Sequence, residues 1–130
     1  MLREEFEKIV AEEFEHAVAQ KFQDKMHNVA LLIEDEPSLE VRKEEELGPH
    51  DTLLGYYRGI PATARGALYG VGATLPDTIT LYQLPIEEAA RDDAKDIRQV
   101  VRETIWHEVA HYFGMDESAV RKREDERDIL

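Results

Sequence analysis

Two long segments with helical spacing of apolar residues, one towards each end of the chain, constrain the fold most. Apolar side chains recur at steps of three and four from residue 2 to about residue 26, which predicts one long amphipathic helix. Helical spacing returns in the last third of the chain, with one broad apolar stripe over residues 97–112. Asp92 or Asp93 is the expected cap at its start. Gly114 is its expected stop, because glycine readily adopts the left-handed conformation just past a helix.

Between these helical segments lie three short runs that predict β-strands. Residues 28–35 are apolar and rich in branched side chains, which predicts a strand buried on both faces. Residues 52–58 and the alternating residues 78–84 predict two further strands. A polar connector at 36–50 and a loop rich in glycine and proline at 60–77 separate the three runs.

The order of these elements predicts one α+β domain that spans the whole chain of 130 residues. We expect a small mixed sheet of three to four strands. The long N-terminal helix and the C-terminal helix are expected to pack together on one face of that sheet.

Charge and cysteine content exclude several classes of function. The chain has 29 acidic and 16 basic residues, and its formal net charge of −13 repels phosphate backbones and anionic lipid surfaces. We therefore expect neither a nucleic acid nor a membrane as a partner. The chain has no cysteine, so a bound metal must be held by histidine, aspartate or glutamate. No apolar run approaches the ~18 residues of a spanning helix, and no signal peptide is visible, so a cytoplasmic location is expected.

One short motif in the last helical segment carries chemistry, because residues 107–111 read His-Glu-Val-Ala-His. Residues four apart lie on one face of a helix, so His107 and His111 can direct two imidazoles at one metal ion. Glu108 lies about 100° round the helix, where its carboxylate can approach the open side of the metal without binding it. Zinc lowers the pKa of a bound water to about 7, and a nearby glutamate can accept the released proton.

The motif continues through Gly114 to Glu117, so that the segment reads HExxHxxGxxE. This pattern resembles the extended zinc motif of the zincins. It is more closely similar to that of the small bacterial zincin-like metallopeptidases, also called minimal metalloproteases, with the form HExxHxxGxx(D/E). Residues 54–61 and 75–81 are also similar to strand and loop segments of that family. The resemblance covers roughly residues 50–117.

The resemblance implies a compact zincin-like fold and a zinc ion held by His107, His111 and Glu117, with Glu108 as the general base. Glutamate stands at the third position where aspartate or histidine is more usual, and Asp116 is the alternative third ligand. No methionine is found beyond the motif in the position of the metzincin turn. The implied function is a zinc-dependent peptidase that hydrolyses peptides or proteins.

Two other functions stay open beside this one. The chain has little room for a lower subdomain that would enclose a deep groove, which leaves a catalytically inactive, metal-stabilised protein- or peptide-binding module as the alternative. A small zinc endoribonuclease is disfavoured by Glu108 and by the negative charge. In a peptidase, the strand at 52–58 or that at 78–84 is expected to pair with extended substrate. The remaining histidines are expected on the surface or in packing: His16, His27 and His50.

Overall fold

Helices and strands follow each other along the chain in a computed structural model that describes residues 1–59 and 76–114. The described helices are α1 (Arg3–Ala17), α2 (Gln20–Gln23), α3 (Leu39–Glu44), α4 (Gln83–Asp92) and α5 (Ile97–Tyr112). The described strands are β1 (Val29–Glu34), β2 (Gly55–Arg58) and β3 (Asp77–Tyr82). The structure therefore has the predicted α+β class. Within these ranges, no helix is both long enough and apolar enough to cross a membrane.

The described strands form one mixed sheet with the order β1-β3-β2. The central strand β3 runs parallel to β1 and antiparallel to β2. In this register Leu31 lies beside Ile79, and Gly55 lies beside Leu81. Because side chains alternate along a strand, these four residues point to the same face of the sheet. Ile79 and Leu81 have no exposed surface, so this face carries the core.

Helices α1 and α5 pack against each other on that face of the sheet, as predicted. Phe6 of α1 and Ile105 and Val109 of α5 are completely buried in one apolar cluster with the β3 side chains. Each buried side chain of this size contributes about 1.5–3 kcal/mol relative to an exposed one, so this cluster is the main force that fixes α5 over the sheet.

A buried carboxylate also joins the two long helices. Glu13 of α1 is 3% exposed, and it accepts hydrogen bonds from Nη1 of Arg98 and Nη1 of Arg102, each at 3.1 Å. Arg98 and Arg102 lie about 180° round α5 from His107 and His111, respectively. The ion pairs therefore hold α5 from the side opposite to the two motif histidines.

The N-terminal helix is shorter than its periodicity predicts, because the segment 2–26 is not one helix. Helix α1 ends before Val18, whose backbone is extended (φ −118°, ψ 113°). The rest of the predicted helix is replaced by the short helix α2. Val18 is 1% exposed, and Phe22 packs against the rings of Trp106 and Phe113 at 6.5 and 5.5 Å between centroids. The prediction failed because these packing contacts outweigh the local preference for a continuous helix.

Strand β1 is an edge strand among the described strands, and the prediction that it is buried on both faces is wrong. Leu31 and Leu32 are 37% and 43% exposed. A short apolar run looks the same in sequence at the edge of a sheet and at its centre. The centre of this sheet is β3, in which Thr80 and Tyr82 are buried as well as Ile79 and Leu81.

The chain turns from strand to helix earlier than predicted after β3. The strand ends at Tyr82, and α4 begins at Gln83 instead of the strand continuing to residue 84. Pro85 lies in the first turn of α4, where its missing N–H removes no helical hydrogen bond. The polar connector at 36–50 contains α3.

The start of α5 is capped by a different aspartate from those predicted. Asp92 is the last residue of α4, and Asp93 is its C-cap. The N-cap of α5 is Asp96, whose carboxylate accepts a hydrogen bond from the Arg98 N–H at 2.8 Å. The predicted stop is confirmed, since Gly114 has φ 81° just beyond the helix.

Candidate metal centre

Helix α5 brings the two motif histidines together on one half-buried face. His107 and His111 lie one turn apart, and their ring centroids are 5.0 Å apart. Their Nε2 atoms lie 3.3 Å from each other. The two imidazoles therefore converge on one point, as the spacing of the motif predicts.

The separation of these two nitrogens fits a shared zinc ion. Zinc binds histidine nitrogen at about 2.0–2.1 Å with tetrahedral angles, so two such nitrogens lie about 3.3–3.4 Å apart. The observed Nε2–Nε2 distance of 3.3 Å matches this value. The same distance permits a hydrogen bond between the rings when one is a donor and the other an acceptor. The pair thus fits zinc without rearrangement of α5.

Glu108 lies on the side of α5 that packs over strand β2. Glu108 is 7% exposed, whereas His107 and His111 are half-buried. A Cβ atom placed on Gly55 of β2 would lie 3.1 Å from Glu108 Cγ, so the side chain of Glu108 passes directly over this glycine. The carboxylate thus belongs to the same short stretch of α5 as the histidines but projects from a different side of the helix.

The third ligand predicted from the sequence is outside the part of the chain that the structure describes. Glu117 and the alternative Asp116 both follow residue 114, so their assignment stays a prediction. Within residues 1–59 and 76–114, no group of three or more histidine, aspartate or glutamate side chains is placed to hold a metal.

The other histidines lie elsewhere in the fold. His16 is exposed and lies 3.7 Å from the carboxylate of Glu13. The backbone N–H of His27 donates to the Tyr112 hydroxyl at 3.2 Å. His50 lines a cavity of about 730 Å³ together with residues of the α3 region and α4, and none of its lining residues is in α5.

The end of α5 that carries His111 is tied to the sheet by two tyrosines. The ring of Tyr112 packs edge-on against that of Tyr57 in β2, with 6.1 Å between centroids. The Tyr57 hydroxyl donates to Oδ2 of the buried Asp77 at 2.7 Å. These contacts fix the last turn of α5 relative to β2 and β3.

Sequence reasoning missed two residues that surround Glu108. Gly55 lies beneath the Glu108 side chain, and a Cβ atom on it would lie 2.8 Å from Cγ2 of Thr104. The only available signal was a glycine within an otherwise apolar strand, which often marks close approach of another element.

The fold and this site together define a class of protein. A helix that presents a converging His-Glu-x-x-His pair, packed on a small mixed sheet, is typical of zincin-like proteins. The chain matches the family described as zincin-like metallopeptidase over residues 26–127, and it belongs to that family. A comparison with curated proteins gave no match.

Proposed function

We propose that this protein is a zinc-dependent peptidase. In this proposal His107 and His111 hold the metal, Glu117 is the third ligand with Asp116 as the alternative, and Glu108 is the general base. The observation that supports it best is the 3.3 Å separation of the two Nε2 atoms, which equals the ligand spacing of tetrahedral zinc. Membership of the zincin-like metallopeptidase family supports the same reaction class.

The chemistry divides between the metal and Glu108. Bound zinc would polarise the carbonyl of the scissile peptide and lower the pKa of a water molecule to about 7. Glu108 accepts a proton from the attacking water as its oxygen bonds to the carbonyl carbon. Glu108 then donates that proton to the leaving nitrogen as the C–N bond breaks. A carboxylate that is only 7% exposed is held in place by its neighbours, which suits this transfer.

The strand that aligns an extended substrate is proposed to be β2. The alternative run at 78–84 corresponds to β3, which is paired on both sides and offers no edge to a substrate. Among the described strands, β2 pairs on one side only, and its Gly55 lies directly under Glu108. A peptide paired with β2 by β-augmentation would therefore run past the proposed general base.

The function is tested by peptide hydrolysis with one conservative change at the base. Zinc-loaded wild-type protein and Glu108→Gln are compared on a panel of unstructured peptides by mass spectrometry. Glu108→Gln keeps the size of the side chain, so we expect it to retain zinc and to lose hydrolysis by about a hundredfold or more. Glu103→Gln is the matched control, because Glu103 lies on the same helix with a 41% exposed side chain.

Two outcomes would contradict the proposal. Normal hydrolysis by Glu108→Gln would show that Glu108 is not the general base. Zinc binding by the wild-type protein without cleavage of any peptide would instead favour the alternative, a metal-stabilised protein- or peptide-binding module without turnover.

A further inference from the structure

The close approach of α5 to β2 depends on the missing side chain of one glycine. We propose that Gly55 is a positioning residue that sets the place of the Glu108 carboxylate, an inference that rests on the proposed function. A Cβ atom at Gly55 would lie 3.1 Å from Glu108 Cγ, 2.8 Å from Thr104 Cγ2 and 3.2 Å from the Thr80 carbonyl oxygen. All three distances are shorter than the ~3.5–4.0 Å of favourable contact between non-bonded heavy atoms.

The backbone does not explain why residue 55 is glycine. The described glycines with positive φ are Gly59 and Gly114, so the conformation of Gly55 is one that other residues adopt. Glycine also gives a strand less stability than other residues do, because it packs no side chain and loses more entropy on folding. Space for α5 is the remaining reason, and Glu108 and Thr104 are the side chains that use this space.

Neither α5 nor Thr104 can easily move away from an added methyl group. The Thr104 hydroxyl donates to the Val100 carbonyl oxygen at 2.8 Å, which fixes the rotamer that directs Cγ2 at Gly55. On the side opposite to the two motif histidines, α5 is held to α1 by the ion pairs of Glu13. The Glu108 side chain, with three rotatable bonds, is therefore the part that yields. Its carboxylate then shifts relative to the two histidines.

The expected consequence is a loss of turnover without a loss of metal. His107 and His111 project from a different side of α5 than Glu108, and none of their atoms is among the three nearest to the added Cβ. The rate of a step that needs a general base falls steeply when the base is displaced by up to about one ångström. Gly55→Ala should therefore lower kcat by about tenfold or more. The zinc content should stay at the wild-type level, and KM should change little.

The test compares Gly55→Ala with a double variant that removes one of the steric contacts. Thr104→Ser deletes Cγ2 but keeps the hydroxyl that bonds Val100. Gly55→Ala/Thr104→Ser should therefore recover most of any lost thermal stability. Because the contact with Glu108 Cγ remains, kcat should stay low in the double variant. Gly48→Ala is the control, since among the described residues a Cβ there would meet only the side chain of Asp51.

Crystal structures of the wild-type protein and Gly55→Ala give a readout that does not depend on hydrolysis. We expect the Glu108 carboxylate to move by roughly 0.5 Å or more while both imidazoles stay in place. Unchanged kcat in Gly55→Ala, or an unmoved carboxylate, would overturn the proposal. Recovery of kcat together with stability in the double variant would also overturn it, because Gly55 would then serve packing alone. A wild-type protein that cleaves no peptide refutes the peptidase instead, and the crystallographic comparison still decides whether Gly55 positions Glu108.

Discussion

Removal of the buried carboxylate of Glu13 should loosen the contact between α1 and α5. Glu13 is 3% exposed and accepts one hydrogen bond from Arg98 and one from Arg102, both at 3.1 Å. Glu13→Ala removes both charge-assisted bonds, so Arg102 loses this partner while Arg98 keeps its bond to Glu12. We expect the free energy of unfolding to fall, with little change in the metal site on the opposite side of α5.

The size of the effect follows from the exposure of the partners. Breaking a fully buried ion pair costs about 3–5 kcal/mol, because one charge is left without compensation. Here the side chains of Arg98 and Arg102 are 42% and 41% exposed, so water can solvate them after the substitution. We therefore expect a loss of about 2 kcal/mol for Glu13→Ala. In a domain of this size, that loss corresponds to a decrease in Tm of roughly 6–8 °C.

Urea denaturation followed by circular dichroism measures this loss, and the neighbouring residue supplies the control. Glu12 is an exposed partner of the same cation: its Oε2 accepts a hydrogen bond from Arg98 Nη1 at 2.7 Å, and its side chain is 41% exposed. Glu12→Ala should therefore change the free energy of unfolding by less than about 0.5 kcal/mol. Equal effects of Glu12→Ala and Glu13→Ala would refute the reasoning, because burial would then not decide the strength of these pairs.

Two further predictions concern the stability of the fold. Burial raises the pKa of Tyr82 to about 12, and burial together with Glu45 raises that of Tyr56 to about 12. The folded protein then binds more protons than the unfolded chain above the ordinary tyrosine pKa near 10, so the free energy of unfolding should fall as pH rises from about 10 to about 12. Urea denaturation at several alkaline pH values checks this, and Tyr82→Phe should make the decrease shallower; an equally steep decrease in Tyr82→Phe would contradict the assignment. Asp96→Ala should lower the free energy of unfolding by about 1 kcal/mol through loss of the α5 N-cap, measured by the same method, and Asp96→Asn should lose less.

Features of the fold that depend on local spacing could be predicted from the sequence. The apolar stripe of α5 and the alternation of β3 are set by neighbours a few residues away, and both elements are found, although β3 ends two residues earlier than predicted. The left-handed Gly114 at the helix end is local in the same sense. The convergence of His107 and His111 could also be predicted, because a spacing of one helical turn is enough to bring both rings together.

Features that depend on contacts between distant segments could not be predicted. The helix break at Val18 follows from packing of α2 residues against α5, far along the chain. The order of the strands, which makes β3 central and β1 an edge, depends on pairing partners that a short apolar run does not specify. The role of Gly55 depends on how closely α5 approaches β2, which sequence spacing alone does not reveal.

The zinc content of the purified protein tests the central claim most directly. After loading with zinc and gel filtration, inductively coupled plasma mass spectrometry should find about one zinc ion per wild-type chain. His107→Ala and His111→Ala should each lose most of it, since two protein ligands seldom hold zinc firmly. Less than roughly 0.2 zinc per wild-type chain, or an equal content in His107→Ala, would show that the converging imidazoles are not a metal site.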